Sequence, residues 1–324
     1  MSEQSVLYLS EADVARVALD PALARSAVAA VFAAHHAKRN IVKPKLALEI
    51  GPGHFFQSMC AASAEDGIAV NKWVGVAPVA EGMVGAGIHA MIAVNDYESG
   101  RLLAVLDGNL LTAIRTAAMS AVAATHLARS DSQSIGFIGC GLQARSHLAA
   151  FHALFPKLRR AAAASRTHRS AVLLAEKASA LGLEASAHVD AKAVITGSDI
   201  VITSVPMRAG FSAFLDPAWL RPGSFVAAVD VGRSWIAARL RDLDILATDD
   251  RSQAADLVRA LGLGEAALFD ADLGGLVSAT QPGRSNPRER TMFVFRGFAL
   301  GDLAVAARVY SAAKVAGIGT MLVR

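Results

Sequence analysis

The stretch Ser134-Ile-Gly-Phe-Ile-Gly-Cys-Gly-Leu-Gln-Ala144 decides the fold. It begins as an apolar strand and runs into a glycine-rich turn whose pattern, Gly139-x-Gly141-x-x-Ala144, matches the dinucleotide-binding motif G-x-G-x-x-G/A. Each small residue has a separate task in that motif. Gly139 permits the tight turn, Gly141 lets the backbone approach a pyrophosphate, and Ala144 lets the next helix pack close to the strand.

The chain after this turn has the alternating pattern of a parallel sheet built from βαβ units. A helix is predicted over 143–155, and its first amides, near Leu142 and Gln143, would face the phosphates of a dinucleotide. Taken alone, the motif is equally compatible with a turn that binds nothing. The strands around it favour a Rossmann-type doubly wound parallel sheet. Predicted strands lie at 134–138, 160–164, 185–189, 200–204, 225–230 and 245–248.

The remainder of the chain predicts a second domain of the α+β class. Amphipathic spacing predicts helices over 10–25 and 26–39. Further on, short apolar runs at 46–50, 67–74 and 89–94 are separated by turn residues, as in an antiparallel or mixed sheet. Long helices are predicted near 109–128 and at 298–316. We therefore expect one domain made from both chain termini, 1–130 and 295–324, and a dinucleotide-binding domain at 131–294.

Composition excludes several classes of protein. The apolar helix near 110–128 contains Arg115 and His126, whereas a membrane span needs about 20 nearly uninterrupted apolar residues, so it is predicted to be a buried helix and no membrane association is expected. The N-terminus lacks the basic start of a secretory signal, which predicts a cytoplasmic location. The net charge of +4 is too small to indicate nucleic-acid binding. Histidine and cysteine spacing indicates no metal site, and Cys60 and Cys140 are predicted to be free thiols.

The end of the second strand of this sheet predicts the cofactor. An acidic residue there would bind the ribose hydroxyl of NAD, but the chain reads Ser165-Arg166-Thr167-His168-Arg169. A guanidinium forms paired charge-assisted bonds to phosphate, and the hydroxyls of Ser165 and Thr167 can add to them. The tip therefore predicts NADP(H) as the preferred cofactor, with NAD(H) possible, and the basic segment 157–169 predicts a phosphate partner. A solvated basic turn is the alternative interpretation.

Three charged residues lie where apolar residues would be expected. Lys72 interrupts the strand 70–74, Arg115 is the only charge in the helical stretch 111–119, and Asp230 ends the strand 225–230. A buried charge must be paired or must face a cavity. Asp230 also lies at the carboxyl edge of a parallel strand, where ligands of open α/β sheets bind. For each of the three, a structural salt bridge competes with a role in a site.

Taken together, these stretches resemble the ornithine cyclodeaminase and mu-crystallin family. The matching stretches are Lys72 in its strand and the segments 107–120, 136–144 and 293–302. They follow one another in the same order as in the family and span most of the chain. The resemblance implies a homodimer, with substrate binding and dimerisation in the domain formed by both termini. It implies hydride transfer between a nicotinamide and the α-carbon of a small amino or imino acid.

The resemblance also implies roles for individual residues. Lys45, Lys72 and Arg115 match positions that hold the substrate carboxylate, although the family often has arginine at the first of these. Lys72 is also expected to act on the reacting nitrogen or to stabilise developing charge. Asp230 matches an acidic residue that transfers protons. Lys72 and Asp230 are thus the predicted catalytic residues.

Departures from the family pattern narrow the predicted activity. Cyclodeaminases have a glutamate near the position of Gln57, and glutamine cannot exchange a proton at neutral pH. The loop 230–235 is also unusual. We predict an NADPH-dependent reductase of a cyclic imino acid of the pyrroline-2-carboxylate type. An ornithine cyclodeaminase or alanine-type dehydrogenase is the nearest alternative, and a non-catalytic protein that binds NADPH or a small ligand is an alternative of another class.

Overall fold

The computed structural model describes residues 5–51, 53–77, 87–206, 210–261 and 269–323. The chain divides into two compact units, Met1–Arg115 with Phe298–Arg324, and Thr116–Gly297. The first boundary lies inside one continuous helix, where no loop marks it in the sequence, whereas the predicted domain boundary lies beyond that helix. The predicted domain division stays a prediction.

Sixteen strands and nine α-helices are found in the described residues. The strands are β1 (Ser5–Leu9), β2 (Asn40–Val42), β3 (Leu46–Gly51), β4 (His54–Ser63), β5 (Ile68–Val76), β6 (Ile88–Asp96), β7 (Leu102–Asp107), β8 (Ser134–Ile138), β9 (Arg160–Ala164), β10 (Glu184–His188), β11 (Ile200–Thr203), β12 (Phe225–Ala228), β13 (Ile245–Thr248), β14 (Ala271–Asp272), β15 (Thr291–Val294) and β16 (Thr320–Val323). The helices are α1 (Glu11–Val17), α2 (Pro21–His36), α3 (Gly108–Leu127), α4 (Leu142–Leu154), α5 (His168–Ala180), α6 (Ala191–Thr196), α7 (Ala255–Ala260), α8 (Leu273–Val277) and α9 (Ala299–Ala316).

The unit formed by both termini contains a mixed sheet in the order β16-β1-β7-β6-β5-β4-β2, with β3 paired to β4. Its strands pair antiparallel except for β1 and β7, which run parallel. Helix α9 packs against β4 and β5, and α2 packs against α9. On that side of the sheet the register aligns four buried side chains across β4 to β7, namely Met59, Lys72, Ile92 and Leu106.

The other unit contains a fully parallel sheet in the order β10-β9-β8-β11-β12-β15-β13-β14. Every residue of β8, β11, β12, β13 and β15 is buried, as expected for a parallel sheet covered on both faces. This confirms the predicted fold class. The six predicted strands are present, and β14 and β15 are additional. The strand order reverses between β8 and β11, which is where doubly wound sheets bind ligands.

The first residues of the chain fold differently from the prediction. The helix predicted over 10–25 is wrong, because α1 ends at Val17 and Ala18 adopts a left-handed conformation with φ 47°. A new helix then starts at Pro21, and the Asp20 carboxylate caps it by accepting from the amides of Ala22 and Leu23. Proline is favoured in the first turn of a helix. The Asp20-Pro21 pair therefore starts a new helix, although the amphipathic spacing continues across it.

Helix α3 is the one described helix that is long and apolar enough by itself to cross a membrane, and 72% of its apolar window is buried inside the protein. Helices α1 and α2 pass the same test only as a pair, and they bend by 98° at the break between them. The prediction that α3 is a buried helix is confirmed.

Candidate functional site

Gly139 makes the sharp turn after β8. Its φ is +88°, a conformation that side chains rarely adopt. Its amide donates to the carbonyl of Ala164 at 2.9 Å, and its carbonyl accepts from the hydroxyl of Ser204 at 3.1 Å. A Cβ at this position would lie 2.7 Å from the carbonyl oxygen of Ser204. Backbone conformation and space both require glycine, at the point where the strand order reverses.

The turn continues into an open helix N-terminus. Gly141 precedes α4 with a φ of −83°, and no atom lies within 4 Å of the position a Cβ would take. It makes no side-chain capping bond, so the first amides of α4 are left for an external acceptor. Gly141 and Leu142 are exposed and Gln143 is half-buried, whereas Ala144 is fully buried. This arrangement fits the phosphates of a dinucleotide.

The tip of β9 lies at the same edge of the sheet, because Ala164 pairs with Ile138 immediately before the glycine turn. Arg166, Thr167 and Arg169 are exposed and Ser165 is half-buried. Thr167 is the N-cap of α5 and makes no side-chain capping bond, so its hydroxyl is not used by its own helix. No carboxylate lies in this stretch, and the residues fit a phosphate group.

The basic segment 157–169 is not one patch. Lys157, Arg159 and Arg160 lie at the amino end of β9, whereas Arg166 and Arg169 follow its carboxyl end. A strand of five residues separates the two groups by about 16 Å. The sequence prediction of one phosphate partner for the whole segment is therefore corrected, and only the second group lies at the edge that carries Gly139.

Asp230 follows β12 and is almost fully buried. One carboxylate oxygen accepts from the hydroxyl of Thr203 at 3.0 Å. The other accepts from the hydroxyl of Ser234 at 2.6 Å and the amide of Val205 at 3.4 Å. Burial raises the pKa of Asp230, and these bonds and nearby Arg233 oppose that rise. Both oxygens are thus engaged by the protein, and the proton-transfer role of Asp230 stays a prediction.

Lys72, Arg115 and Asp302 form a buried ion cluster in the unit built from both termini. The Lys72 Nζ lies 2.9 Å from Oδ1 of Asp302, and the Arg115 Nε lies 3.2 Å from the same oxygen. The three side chains are between 0% and 8% exposed. Strand β5, helix α3 and helix α9 each supply one of them. Lys72 and Arg115, which the family resemblance assigns to the same substrate carboxylate, both contact Asp302.

Within these three side chains, two cations share one carboxylate. The pKa of Lys72 is lowered to about 8, because burial and the neighbouring Arg115 lower it more than Asp302 raises it. A buried charge is costly unless it is paired. Two buried cations side by side are suited to bind a carboxylate, and the carboxylate-binding role of Lys72 and Arg115 stays a prediction.

Lys45 and Gln57 belong to the same unit. Lys45 is half-buried and directly precedes β3. Gln57 lies two residues before Met59 on β4, so it shares the face of the sheet that carries Lys72. The assignment of Lys45 to carboxylate binding stays a prediction.

Sequence reasoning missed Asp302 as a member of the site. The residue stands inside the matched stretch 293–302, but no role followed from its position. The available signal was a single acidic residue in the first turn of an apolar helix, where only Asp302 is charged until Arg308. Thr203 and Ser234, whose hydroxyls donate to Asp230, were missed as well. Hydroxyl residues near strand ends are common, so their presence did not stand out.

Comparison with known proteins places these features in context. The model of the ornithine cyclodeaminase/mu-crystallin family matches residues 9–317. The rat ketimine reductase mu-crystallin is 32% identical over 230 residues, which cover 68% of each chain. The alanine dehydrogenase of Archaeoglobus fulgidus is 27% identical over 325 residues and 98% of each chain. A solved structure of Thermococcus litoralis Δ1-pyrroline-2-carboxylate reductase, in complex with NADH and L-proline, is 26% identical with a TM-score of 0.87, over 97% of this chain and 99% of that one.

Proposed function

This chain belongs to the ornithine cyclodeaminase/mu-crystallin family, and we propose from that premise that it is an NADPH-dependent reductase of a cyclic imino acid of the pyrroline-2-carboxylate type. The observation that carries the proposal is the buried cluster in which Lys72 and Arg115 converge on one oxygen of Asp302. It gives the unit formed by both termini a binding place for one carboxylate. The glycine turn at Gly139 gives the other unit a binding place for a dinucleotide.

When bound, the reduced nicotinamide supplies the hydride that adds to the α-carbon of the C=N bond. The residues of the chain bind and orient the substrate. Lys72 and Arg115 hold its carboxylate by charge-assisted hydrogen bonds, which fixes the position of the adjacent α-carbon. Because both cations are buried, these bonds form where little water competes. The electron pair of the C=N bond moves to nitrogen, and where the substrate binds as a neutral imine the ammonium group of Lys72 supplies the proton that the nitrogen takes up.

Relatives of two kinds support this reaction class. The rat relative is a ketimine reductase, and the Thermococcus litoralis structure is of a pyrroline-2-carboxylate reductase with L-proline bound. The second candidate is an amino-acid dehydrogenase, because the Archaeoglobus fulgidus alanine dehydrogenase aligns with nearly the whole chain. Cyclodeaminase activity is disfavoured by Gln57, which cannot exchange a proton at neutral pH.

A spectrophotometric screen tests the proposal. The purified protein is mixed with NADPH or NADH and with pyrroline-2-carboxylate, its six-membered analogue, pyruvate plus ammonia, or no substrate. We expect oxidation of the cofactor with the cyclic imino acids. Turnover with pyruvate and ammonia alone would instead support the dehydrogenase, and ammonia release from ornithine with oxidised cofactor would support the cyclodeaminase. Cofactor binding without any turnover would support the binding protein.

The preference for NADP(H) is part of the proposal and is supported by the exposed Ser165-Arg166-Thr167 tip. Replacing Arg166 by alanine is expected to raise KM for NADPH by about 10- to 100-fold, since a hydrogen bond to a charged group contributes about 1.5–3 kcal/mol. KM for NADH should change less than about 3-fold, because NADH has no 2′-phosphate for Arg166 to bind. Steady-state kinetics with both cofactors measure the difference.

The matched control for this test is Arg160→Ala. Arg160 is also exposed and stands at the other end of the same strand. Its replacement removes the same charge from the protein but should leave both KM values unchanged. An equal loss of affinity for NADPH and NADH in the Arg166 variant would contradict the proposed preference.

We also propose a cytoplasmic homodimer in which a second copy covers the outer face of the mixed sheet. Leu46 and Leu48 on β3 are 64% and 50% exposed. Phe56 stacks on Trp73 with ring centroids 5.6 Å apart, and Met91 stands opposite Trp73 in the register. These side chains share the face opposite to Lys72, and contiguous exposed apolar surface of this kind is typical of subunit interfaces.

A further inference from the structure

Asp302 has an unusual set of partners for a buried carboxylate. It lies in the first turn of α9, where the helix dipole favours a negative charge, and its side chain is 0% exposed. Oδ1 contacts the Lys72 Nζ and the Arg115 Nε. Oδ2 is buried and accepts no hydrogen bond within the described part of the chain. No backbone amide of α9 or of the sheet is capped by this residue among the bonds found there.

A carboxylate that only stabilises a fold normally accepts several hydrogen bonds. Asp199 is the example within this protein, because its Oδ2 accepts from the amides of Gln133 and Ser134 and from the hydroxyl of Ser134. Asp199 thereby joins two strands and a loop. Among the described residues, Asp302 contacts only the two cations through its carboxylate. Its function is therefore expected to concern Lys72 and Arg115.

We propose that Asp302 is a positioning residue for substrate binding, which holds Lys72 and Arg115 at one oxygen and keeps Lys72 charged for the substrate carboxylate. The inference rests on the proposed function, since it assigns the same cluster to the carboxylate of an imino acid. It extends that function by giving a role to a residue that does not itself bind the substrate.

The charges around Lys72 show why it needs Asp302. Its strand neighbours in the register are Met59 on β4 and Ile92 on β6, which do not titrate. Arg115 faces it from α3 and Asp302 from α9. Burial and the like charge of Arg115 both disfavour the ammonium form, and Asp302 is the group that favours it. Without this carboxylate, Lys72 would lose its proton at a lower pH.

The test is the pH dependence of carboxylate binding in the Asp302→Asn variant, which keeps the shape and removes the charge. The probe is pyrrole-2-carboxylate, a planar acid whose ring does not titrate between about pH 6 and about pH 9. Its Kd is measured by calorimetry on enzyme saturated with oxidised cofactor. For the unmodified protein we expect a constant Kd up to about pH 8, and then a rise of about tenfold per pH unit as Lys72 loses its proton.

We call the pH at which Kd begins to rise the break. In Asp302→Asn the break is expected at least about one pH unit lower. Binding near pH 8 should then weaken about tenfold or more, while binding near pH 6 changes only a few-fold. Asp302→Glu, which restores the charge, should return the break toward its original pH. Lys72→Arg should abolish the break, because a guanidinium does not titrate in this range. A loss of affinity that is equal at every pH in Asp302→Asn would overturn the proposal and leave Asp302 a purely structural residue.

Two further outcomes separate this inference from the proposed function. If Lys72→Gln binds the probe as well as the unmodified protein does, the cluster does not bind the carboxylate. That result would contradict both the proposed function and the positioning role of Asp302. If Lys72→Gln binds weakly but the break does not move in Asp302→Asn, only the role of Asp302 is wrong. Should Asp302→Asn not fold, persistence of the break in Lys72→Arg would overturn the proposal by itself.

Discussion

Replacement of Lys72 by methionine is expected to lower kcat/KM for a cyclic imino acid by about 100- to 1,000-fold. Removing one partner of a buried charged bond costs about 2–5 kcal/mol, and each 1.4 kcal/mol is a factor of ten. In the variant, the ammonium group proposed to bind the carboxylate is gone, and Arg115 keeps its contact with Asp302. Steady-state kinetics with pyrroline-2-carboxylate measure the loss.

The same substitution is expected to stabilise the fold, which separates the loss of activity from damage to the protein. The pKa of Lys72 is lowered to about 8 from 10.5, so holding it charged costs about 3 kcal/mol at neutral pH. Methionine has a similar length and lies in an apolar row beside Met59 and Ile92. We expect the free energy of unfolding to rise by one to a few kcal/mol, as order-of-magnitude values for buried ion pairs indicate.

The sign of the pH dependence gives a second check on Lys72. Below about pH 8 the lysine is protonated in the folded and the unfolded chain, and the full cost is present. Between about pH 8 and 10.5 only the unfolded chain keeps the proton, so the unmodified protein gains stability as the pH rises. The advantage of Lys72→Met should therefore shrink across that window in denaturant titrations. An activity within about threefold of the unmodified protein would contradict the role of Lys72 in binding.

Local signals in the sequence predicted the strand, the turn and the helix around Gly139 correctly. The glycine turn, the strand before it and the helix after it are formed by neighbouring residues. A short segment of sequence is therefore enough to predict this strand–turn–helix motif. The same holds for the tip of β9, because Arg166 and Thr167 follow their strand directly. The helix break at Asp20 and Pro21 is also a local signal, and amphipathic spacing that continues across it conceals the break.

The remaining features depend on contacts between distant parts of the chain. Lys72 and Asp302 are separated by 230 positions, so no spacing rule connects them. Strand β15 inserts between β12 and β13, out of chain order, and a run of four apolar residues beside the last helix gave no sign of that position. The basic segment 157–169 looked continuous because a sequence does not show that a strand places its two ends far apart.

The two glycines of the turn should fail in different ways when each is replaced by alanine. At Gly139 the φ of +88° is unfavourable for alanine, and the added Cβ would meet the backbone of Ser204 at 2.7 and 2.9 Å. A left-handed non-glycine residue costs about 1–3 kcal/mol, and a clash with backbone adds to that. Gly139→Ala is therefore expected to lower the free energy of unfolding by about 2–4 kcal/mol, and to lose cofactor binding because the turn is distorted.

Gly141→Ala should lower the free energy of unfolding by no more than about 1 kcal/mol, because alanine is a poorer N-cap than glycine but the φ of −83° suits any residue and the space around it is open. Its methyl group would nevertheless stand where the pyrophosphate must approach the backbone, so we expect NADPH affinity to fall by about 10- to 100-fold. Chemical denaturation and NADPH fluorescence titration separate the two effects. Unchanged NADPH affinity in Gly141→Ala would mean that the diphosphate does not lie on this turn, whereas unchanged stability in Gly139→Ala would mean that the turn relaxes without its left-handed residue.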